Sequence, residues 1–238
     1  SQSHERVGAV LRTIHLLFNE GYWSAVGDAP IRADLCRLAI GLAHSLLAAY
    51  PHISEISGLR ALMCLHDARR AARLDESGGP VPLPEQDRAR WDQEAIRAAT
   101  DLLERTLRTG EPGPFQTEAA IAAVHCRARV AADTDWREIA ALYALLETWR
   151  PIPAVRVNRA FAVARADGAA AGLALLETAG DIDVDAYPYV HLVRGTLLGE
   201  LGHLEPAQRA LEQAEQHARN SWERAQIRTQ RMRLLGDS

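Results

Sequence analysis

Residues 154–179 read AVRVNRAFAVARADGAAAGLALLETA, and residues 189–219 read YVHLVRGTLLGELGHLEPAQRALEQAEQHAR. The two segments align when Ala160 is paired with Gly195, and small or apolar residues then coincide at a constant offset of 35. The further pairs are Val163 with Leu198, Gly172 with Ala207, Leu176 with Leu211 and Ala179 with Ala214. Gly202 suits a turn between two helices, whereas Gly168 in the first copy is one residue out of register. The segments therefore predict two copies of one helical hairpin.

The offset is close to the period of about 34 residues that tetratricopeptide repeats show. In such proteins, helix pairs stack into a solenoid and a terminal helix with a polar outer face closes the stack. Residues 222–235 predict that capping helix, with a charged outer face and an apolar inner face. A generic antiparallel helix pair is the alternative explanation for the two copies.

The remainder of the chain also predicts helices, because Ala, Leu, Arg and Glu dominate and no stretch sustains a period of two. We expect about eleven helices in all. The first six lie near residues 4–20, 31–50, 53–75, 85–108, 115–132 and 135–149. Long irregular stretches are expected at residues 21–30 and 77–84, where Gly and Pro cluster.

The predicted fold class is all-α, with helical hairpins stacked as an α-solenoid and tetratricopeptide-like repeats in the C-terminal third. Pro151 and Pro153 mark a boundary between a helical domain at residues 1–150 and the repeats at residues 151–238. One continuous superhelix and two separate lobes both stay open.

Apolar residues at spacings of three and four predict the buried face of each early helix. In the first helix these are Val7, Val10, Leu11, Ile14 and Leu17. In the second they are Leu35, Leu38, Ala39, Leu42 and Leu46, and in the third Ile56, Leu59, Leu62, Met63 and Ala68. Ser54 is predicted to cap the third helix, and Thr134 or Asp135 the sixth.

Composition excludes several classes of function. The chain has 238 residues, 47% of them hydrophobic, and a net charge of −4. All 27 basic residues are arginine, which excludes Schiff-base or general-base chemistry on lysine. The acidic balance argues against a nucleic-acid-binding surface over the whole molecule. No apolar run reaches the ~20 residues that span a membrane, and no signal peptide is visible, so a cytoplasmic location is expected.

Motifs for metals, cofactors and nucleophiles are missing from the sequence. Cys36, Cys64 and Cys126 lie far apart in apolar helical patterns, as small buried hydrophobes do. The run at residues 78–80, Gly-Gly-Pro, has no Lys-Ser/Thr after it, as a phosphate-binding loop would require. We expect no catalytic, cofactor-binding or metal-binding residues and no enzymatic activity. The rival is a helical enzyme, which would need convergent acids or a nucleophile in a cleft.

The densest polar segment is EQDRARWD at residues 85–92. Its acids could cap a helix, with Arg88 and Asp92 paired four residues apart, or the segment could bind a ligand. His66, Arg69 and Arg73 share one face of the third helix and could either bind those carboxylates in an internal ion-pair network or line a pocket for an anion. The full candidate set is Asn19, Glu20, Tyr22, His66, Arg69, Arg73, Glu85, Gln86, Asp87, Arg88, Trp91, Gln116, Asp135, Trp136, Asn158 and Arg159. For most residues outside the segment, helix capping or packing is the alternative role.

Seven sequence blocks carry a resemblance to a known family. In order, they are residues 16–22 (LLFNEGY, ending in a predicted glycine turn), 34–40, 58–73, 85–92, 113–125, 134–143 and 158–164. This ordered series resembles the C-terminal extension of one group of bacterial extracytoplasmic-function RNA polymerase sigma factors. The resemblance runs from Val7 to Leu235. The sequence departs from the family pattern at residues 82–84, Pro-Leu-Pro, which carry more proline than expected.

The resemblance implies a regulatory and protein-interaction domain that modulates transcription initiation in cis. The implied partners are the sigma-factor core regions, RNA polymerase and a small ferredoxin-like protein. No helix-turn-helix for promoters occurs in the sequence, so we expect no direct nucleic-acid contact, no membrane contact and no transcription by this fragment alone. The alternative function is a ligand-sensing helical domain that binds a small anionic molecule or peptide.

Overall fold

The computed structural model describes residues 2–22, 31–76, 78–79, 81–108, 112–178, 187, 189–218 and 221–235. These residues form helices, turns and loops without a strand, so the all-α prediction is confirmed. Their α-helices are α1 (Gln2–Tyr22), α2 (Ala33–Ala49), α3 (Ser54–Asp67), α4 (Gln93–Leu107), α5 (Pro114–Arg127), α6 (Trp136–Trp149), α7 (Pro153–Asp167), α8 (Ala169–Glu177), α9 (Tyr189–Glu200), α10 (Leu204–Gln216) and α11 (Ser221–Leu235). Most of the predicted irregular stretch at residues 21–30 lies outside the described residues, as do residues 77 and 80 of the second one.

The chain divides into two compact units, Ser1–Thr134 and Asp135–Ser238. Helix α6 packs against α7 and therefore belongs to the second unit. The division between the units thus falls before α6, whereas the prolines at 151 and 153 suggested a boundary after it.

The first unit is organised around α3, which packs against α1, α2, α4 and α5. The predicted inward residues Ile56, Leu59, Leu62, Met63 and Ala68 are all buried. Gly58 allows α3 to approach α5 closely, because a Cβ placed there would lie 2.6 Å from the backbone nitrogen of Gln116. The Glu55 carboxylate accepts hydrogen bonds from the backbone N–H groups of Phe115 and Gln116, which stabilises the N-terminus of α5.

Helix α1 does not end before a glycine turn, as the sequence suggested, but continues through Gly21 to Tyr22. Gly21 serves close packing instead. A Cβ placed there would lie 2.8 Å from the backbone nitrogen of Cys36 and from the Cβ of Leu35. The glycine therefore lets α1 cross the start of α2.

Residues 85–92 do not form the first turns of a long helix, and that prediction is wrong. They form two short 3₁₀ turns, Leu83–Glu85 and Arg88–Arg90, before α4 begins at Gln93. The Asp87 side chain accepts a hydrogen bond from the Ala89 N–H, and the Asp92 side chain accepts one from the Ala95 N–H. Each aspartate starts a new turn, because its side chain competes with the backbone for the nearby N–H groups.

Some smaller predictions also differ from the structure. Val10, Leu38 and Leu42 belong to the predicted buried stripes but are exposed. Helix α3 ends at Asp67 rather than near residue 75, and a short 3₁₀ turn, Arg70–Ala72, follows it. Ser54 is the first residue of α3 and makes no cap hydrogen bond, whereas Asp135 caps α6 as predicted, accepting from the Glu138 N–H at 2.9 Å.

The second unit stacks its helices in chain order, since each packs against its neighbours in sequence, and α7 and α11 also pack against α9. The two predicted hairpins are α7–α8 and α9–α10. A Cβ at Gly172 would lie 2.5 Å from the Ala160 carbonyl oxygen, and one at Gly195 would lie 3.2 Å from the Ala207 carbonyl oxygen. The predicted close contact is therefore present in both copies, with the glycine on the second helix in one and on the first helix in the other.

The turns of the two hairpins explain the one-residue mismatch. Gly168 and Gly202 both adopt positive φ, 101° and 78°, which favours glycine. Gly168 directly precedes α8, whereas His203 separates Gly202 from α10. The difference is confined to the turn, and the helices keep the offset of 35 that pairs Leu176 with Leu211, both buried.

Candidate functional site

Several predicted site residues converge inside the first unit, at the end of α1 and the ends of α3 and α5. We call this group the arginine cluster. It consists of Tyr22, His66, Arg69, Arg73, Arg88, Trp91 and His125. All of them except His125 were predicted from the sequence.

Arg73 holds the end of α1. It is 7% exposed, and its Nη1 donates a hydrogen bond of 2.5 Å to the carbonyl oxygen of Tyr22. Its guanidinium carbon lies 3.4 Å from the centre of the Tyr22 ring, within the range of a cation–π contact. Tyr22 also stacks on Phe18 at 5.4 Å and meets the edge of His66 at 5.1 Å. The segment after α3 is thereby joined to α1.

Arg69 lies deeper, at 5% exposure. Its Nη2 is 3.2 Å from Nδ1 of His66 and donates to the Tyr22 hydroxyl at 3.4 Å. The guanidinium carbon lies 6.0 Å from the centre of the Trp91 ring. The predicted ion pair between Arg69 and the carboxylates of residues 85–92 is therefore wrong, because its contacts are with neutral groups.

Arg88 joins residues 85–92 to the end of α5. Its Nη1 donates to the carbonyl oxygens of His125 at 2.6 Å and Ala128 at 2.8 Å. A cation is favourable there, because the last carbonyls of a helix carry partial negative charge. The guanidinium carbon also lies 4.5 Å from the centre of the Trp91 ring. These contacts replace the predicted pairing of Arg88 with Asp92.

The two histidines of the cluster resist protonation. Burial holds the pKa of His66 well below its usual value, and the nearby charges of Arg69 and Arg73 lower it further. Burial is also the main cause that lowers the pKa of His125 to about 4, and the charges of Arg69 and Arg88 act in the same direction. Both rings are therefore neutral at pH 7, and arginine carries the positive charge of the cluster.

The remaining predicted site residues are exposed or make contacts of their own. Asn19, Glu20, Glu85, Asp87, Asp135 and Asn158 are exposed. Gln86 donates to the Val81 carbonyl oxygen, and Gln116 accepts from the Gly113 N–H in the predicted capping role. Trp136 meets the edge of Phe161 at 5.7 Å, and Arg159 donates to Glu147 at 2.7 Å, both within the second unit.

A cavity of about 780 Å³ also lies in the first unit, between α2, α3 and residues 90–95. Among the residues that line it are Arg37 and His44 of α2, Arg60 and Asp67 of α3, and then Arg70, Arg90, Trp91 and Asp92. Trp91 therefore belongs to both sites. The sequence analysis missed Arg37 and Arg60, although helical spacing gave a signal, whereas Arg90 lies in the segment that it considered for ligand binding. Arg37, Gly41 and His44 share one face of α2, as Arg60, Cys64 and Asp67 share one face of α3.

None of the helices in the described part of the chain is both long and apolar enough to cross a membrane.

Comparisons with known proteins give two similarities. Residues 6–107, which lie in the first unit, match the model of a family of unknown function, DUF6596. The chain is also 42% identical over 226 residues to a protein of Rhizobium meliloti (strain 1021) described as uncharacterized protein R00370. That match covers 95% of this chain and 53% of the relative, so the chain spans about half the length of the curated relative it matches. No solved structure matches the chain.

Proposed function

We propose that this chain is the regulatory and protein-interaction domain of a bacterial extracytoplasmic-function sigma factor. It acts in the cytoplasm and in cis, by docking on the core regions of the factor and on RNA polymerase. A small ferredoxin-like protein is a further partner that the resemblance suggests. The proposal assigns no reaction to the domain itself.

The observation that carries the proposal is the repeated hairpin of the second unit. In both hairpins, the two helices pack together at the same pair of small residues, which is Ala160 with Gly172 in one and Gly195 with Ala207 in the other. The Arg165 side chain donates to the Glu200 carboxylate, and these residues also stand 35 apart, at equivalent positions of α7 and α9. Stacks of this kind expose long helical surfaces that other proteins and peptides bind.

Two further observations support a domain that works beside others. Nearly half of the Rhizobium meliloti relative lies outside the match, which leaves room for the two core regions that the resemblance implies. In the first unit, Leu38 and Leu42 are 52% and 43% exposed and lie one turn apart on α2. Exposed apolar residues at that spacing form a stripe on which a partner helix can dock.

The test is promoter output from the full-length factor. Deleting residues 1–238 from that factor is expected to change the output from its promoter several-fold, because the domain sets activity in cis. Unaltered output would contradict the proposal. A second variant, Leu38→Ser with Leu42→Ser, is expected to weaken capture of the core regions by the purified domain. Val130→Ser changes another exposed apolar residue of the first unit and should leave capture unchanged.

A further inference from the structure

We propose that the cavity between α2, α3 and residues 90–95 binds a small molecule with several negative charges, carried by phosphate or carboxylate groups. This inference goes beyond the proposed interaction with other proteins, and it places an effector site in the first unit. Its volume, about 780 Å³, lies within the range of about 300–1,000 Å³ that small-molecule sites occupy.

The first argument is charge. Arg37, Arg60 and Arg90 line the cavity, and none of them makes an ion pair or side-chain hydrogen bond with any residue that the structure describes. The acids of the cavity are already engaged. Asp67 accepts from Arg70 at 3.0 Å, and Asp92 accepts from the Ala95 N–H at 2.9 Å. Four arginines, Arg37, Arg60, Arg70 and Arg90, therefore line the cavity with only two carboxylates, Asp67 and Asp92, which leaves an excess of positive charge.

The second argument is a pair of unused donors. The Nε of Arg60 and the indole N–H of Trp91 are buried and have no acceptor among the described residues. Trp91 is only 3% exposed, so water does not readily satisfy its N–H. Buried donors nearly always have a partner in folded proteins, and an unmet one is costly. Arg60 and Trp91 both line the cavity, so a small shift of either side chain would bring its N–H to a phosphate or carboxylate oxygen there.

The third argument is the contrast with the arginine cluster. Arg73 and Arg88 each donate through Nη1 to backbone carbonyl oxygens, so the protein itself supplies acceptors for these groups. Arg37, Arg60 and Arg90 have no such partners among the described residues, and guanidinium groups bind phosphate and carboxylate with paired donors. The anion pocket that the sequence suggested at His66, Arg69 and Arg73 is therefore better placed at Arg37, Arg60 and Arg90.

The apolar side chains of the cavity indicate that the ligand has an uncharged part as well as its negative charges. Ile40, Ala68 and Ala95 line the same cavity, which gives an uncharged part of the ligand a surface to contact. A phosphorylated or polycarboxylated organic molecule fits this mixture better than a bare inorganic anion does.

Isothermal titration calorimetry of the full chain with two probes, pyrophosphate and ATP, tests the proposal. One-site saturable binding of either probe is expected. Arg60→Gln and Arg90→Gln should each weaken it about tenfold or more, since each removes a charged hydrogen-bond donor. Arg97→Gln alters an exposed arginine of α4 outside the cavity and should change the affinity less than about twofold.

Two results would overturn the proposal. One is no saturable binding of either probe, and the other is binding that Arg60→Gln and Arg90→Gln leave unchanged or that Arg97→Gln reduces equally. Arg90 is exposed, so its substitution tests the site even if Arg60→Gln unfolds the chain. Tryptophan emission gives a second measurement, because the probe should alter it in the native chain and not in Trp91→Phe. Failure here leaves the promoter experiment unaffected, so the two proposals fail separately.

Discussion

The guanidinium carbon of Arg73 lies 3.4 Å from the centre of the Tyr22 ring, and the same group donates to the Tyr22 carbonyl oxygen. One buried cation therefore fixes both the backbone and the side chain at the end of α1. Tyr22→Leu removes the ring from Arg73, Phe18 and His66, and we expect it to lower the free energy of unfolding by about 2–4 kcal/mol. Urea unfolding followed by circular dichroism measures the change.

Two variants check the source of that loss. Tyr22→Phe keeps the ring and loses only a hydroxyl that accepts at 3.4 Å from Arg69, so it should cost less than about 1 kcal/mol. Tyr50→Leu changes an exposed tyrosine and serves as the control. If Tyr22→Leu is no worse than Tyr50→Leu, the contact with Arg73 does not stabilise the unit.

Gly172→Ala should destabilise the second unit by about 1–3 kcal/mol, because overpacking forces the surroundings to shift. The new methyl group would lie 2.4 Å from the Ala164 Cβ and 2.5 Å from the Ala160 carbonyl oxygen. Gly41→Ala is the matched control, since nothing lies within 4 Å of a Cβ there. It should stabilise α2 by about 0.5–1 kcal/mol. Equal effects of the two substitutions on thermal unfolding would show that α7 and α8 are not in close contact.

Stability should fall as the pH decreases from about 6.5 towards 4. The pKa of His125 is about 4 in the folded chain and about 6.5 when unfolded, so the unfolded chain binds more protons between those values. Above pH 6.5, the contribution of the neutral His125 to the free energy of unfolding is fully present. His66 acts in the same direction, because its pKa is also lowered by burial. His125→Asn should make unfolding in urea less dependent on pH in this window, whereas His52→Asn, at an exposed position, should leave the slope unaltered.

Glu147→Gln should destabilise the second unit by about 1–3 kcal/mol. The Glu147 carboxylate accepts from Arg156 at 2.5 Å and from Arg159 at 2.7 Å, and these bonds join α6 to α7. Burial alone would raise the pKa of Glu147, but the bonds from Arg159 and Arg156 outweigh it and lower the pKa. The stabilisation by these bonds is therefore present above the pKa that Glu147 has in the unfolded chain. It is lost as the pH falls through the lower pKa of Glu147 in the folded chain. Glu177→Gln, an exposed control on α8, should have little effect on the unfolding temperature; a similar loss from both would contradict the role of Glu147.

The sequence predicted helices best where packing and capping gave the same signal. Asp135 caps α6 as the sequence predicted, because its side chain accepts a hydrogen bond from an N–H of the first turn. The hairpin repeat was visible because its contacts need small residues at fixed positions, Ala160 and Gly172 among them. Such local requirements can be read without knowledge of distant residues.

Sequence patterns were less informative where a residue far away in the chain determines the local structure. Gly21 reads as a turn, yet α2 requires it to be small. Residues 85–92 have helical composition, but Asp87 and Asp92 start separate turns and Arg88 binds the end of α5. The basic residues His66, Arg69, Arg73 and Arg88 were found from their clustered charge, whereas His125 was missed. Their partners could not be predicted, because every residue has a carbonyl oxygen and the sequence does not distinguish those of Tyr22 and His125.

Gly168 and Gly202, 34 residues apart, both turn the chain with a positive φ, and Arg165 of the first hairpin binds Glu200 of the next one. A hairpin inserted between them would meet surfaces that match its own on both sides. Duplication or loss of one whole hairpin therefore requires no new kind of interface, so related chains can differ in length by multiples of this unit while keeping the first unit intact.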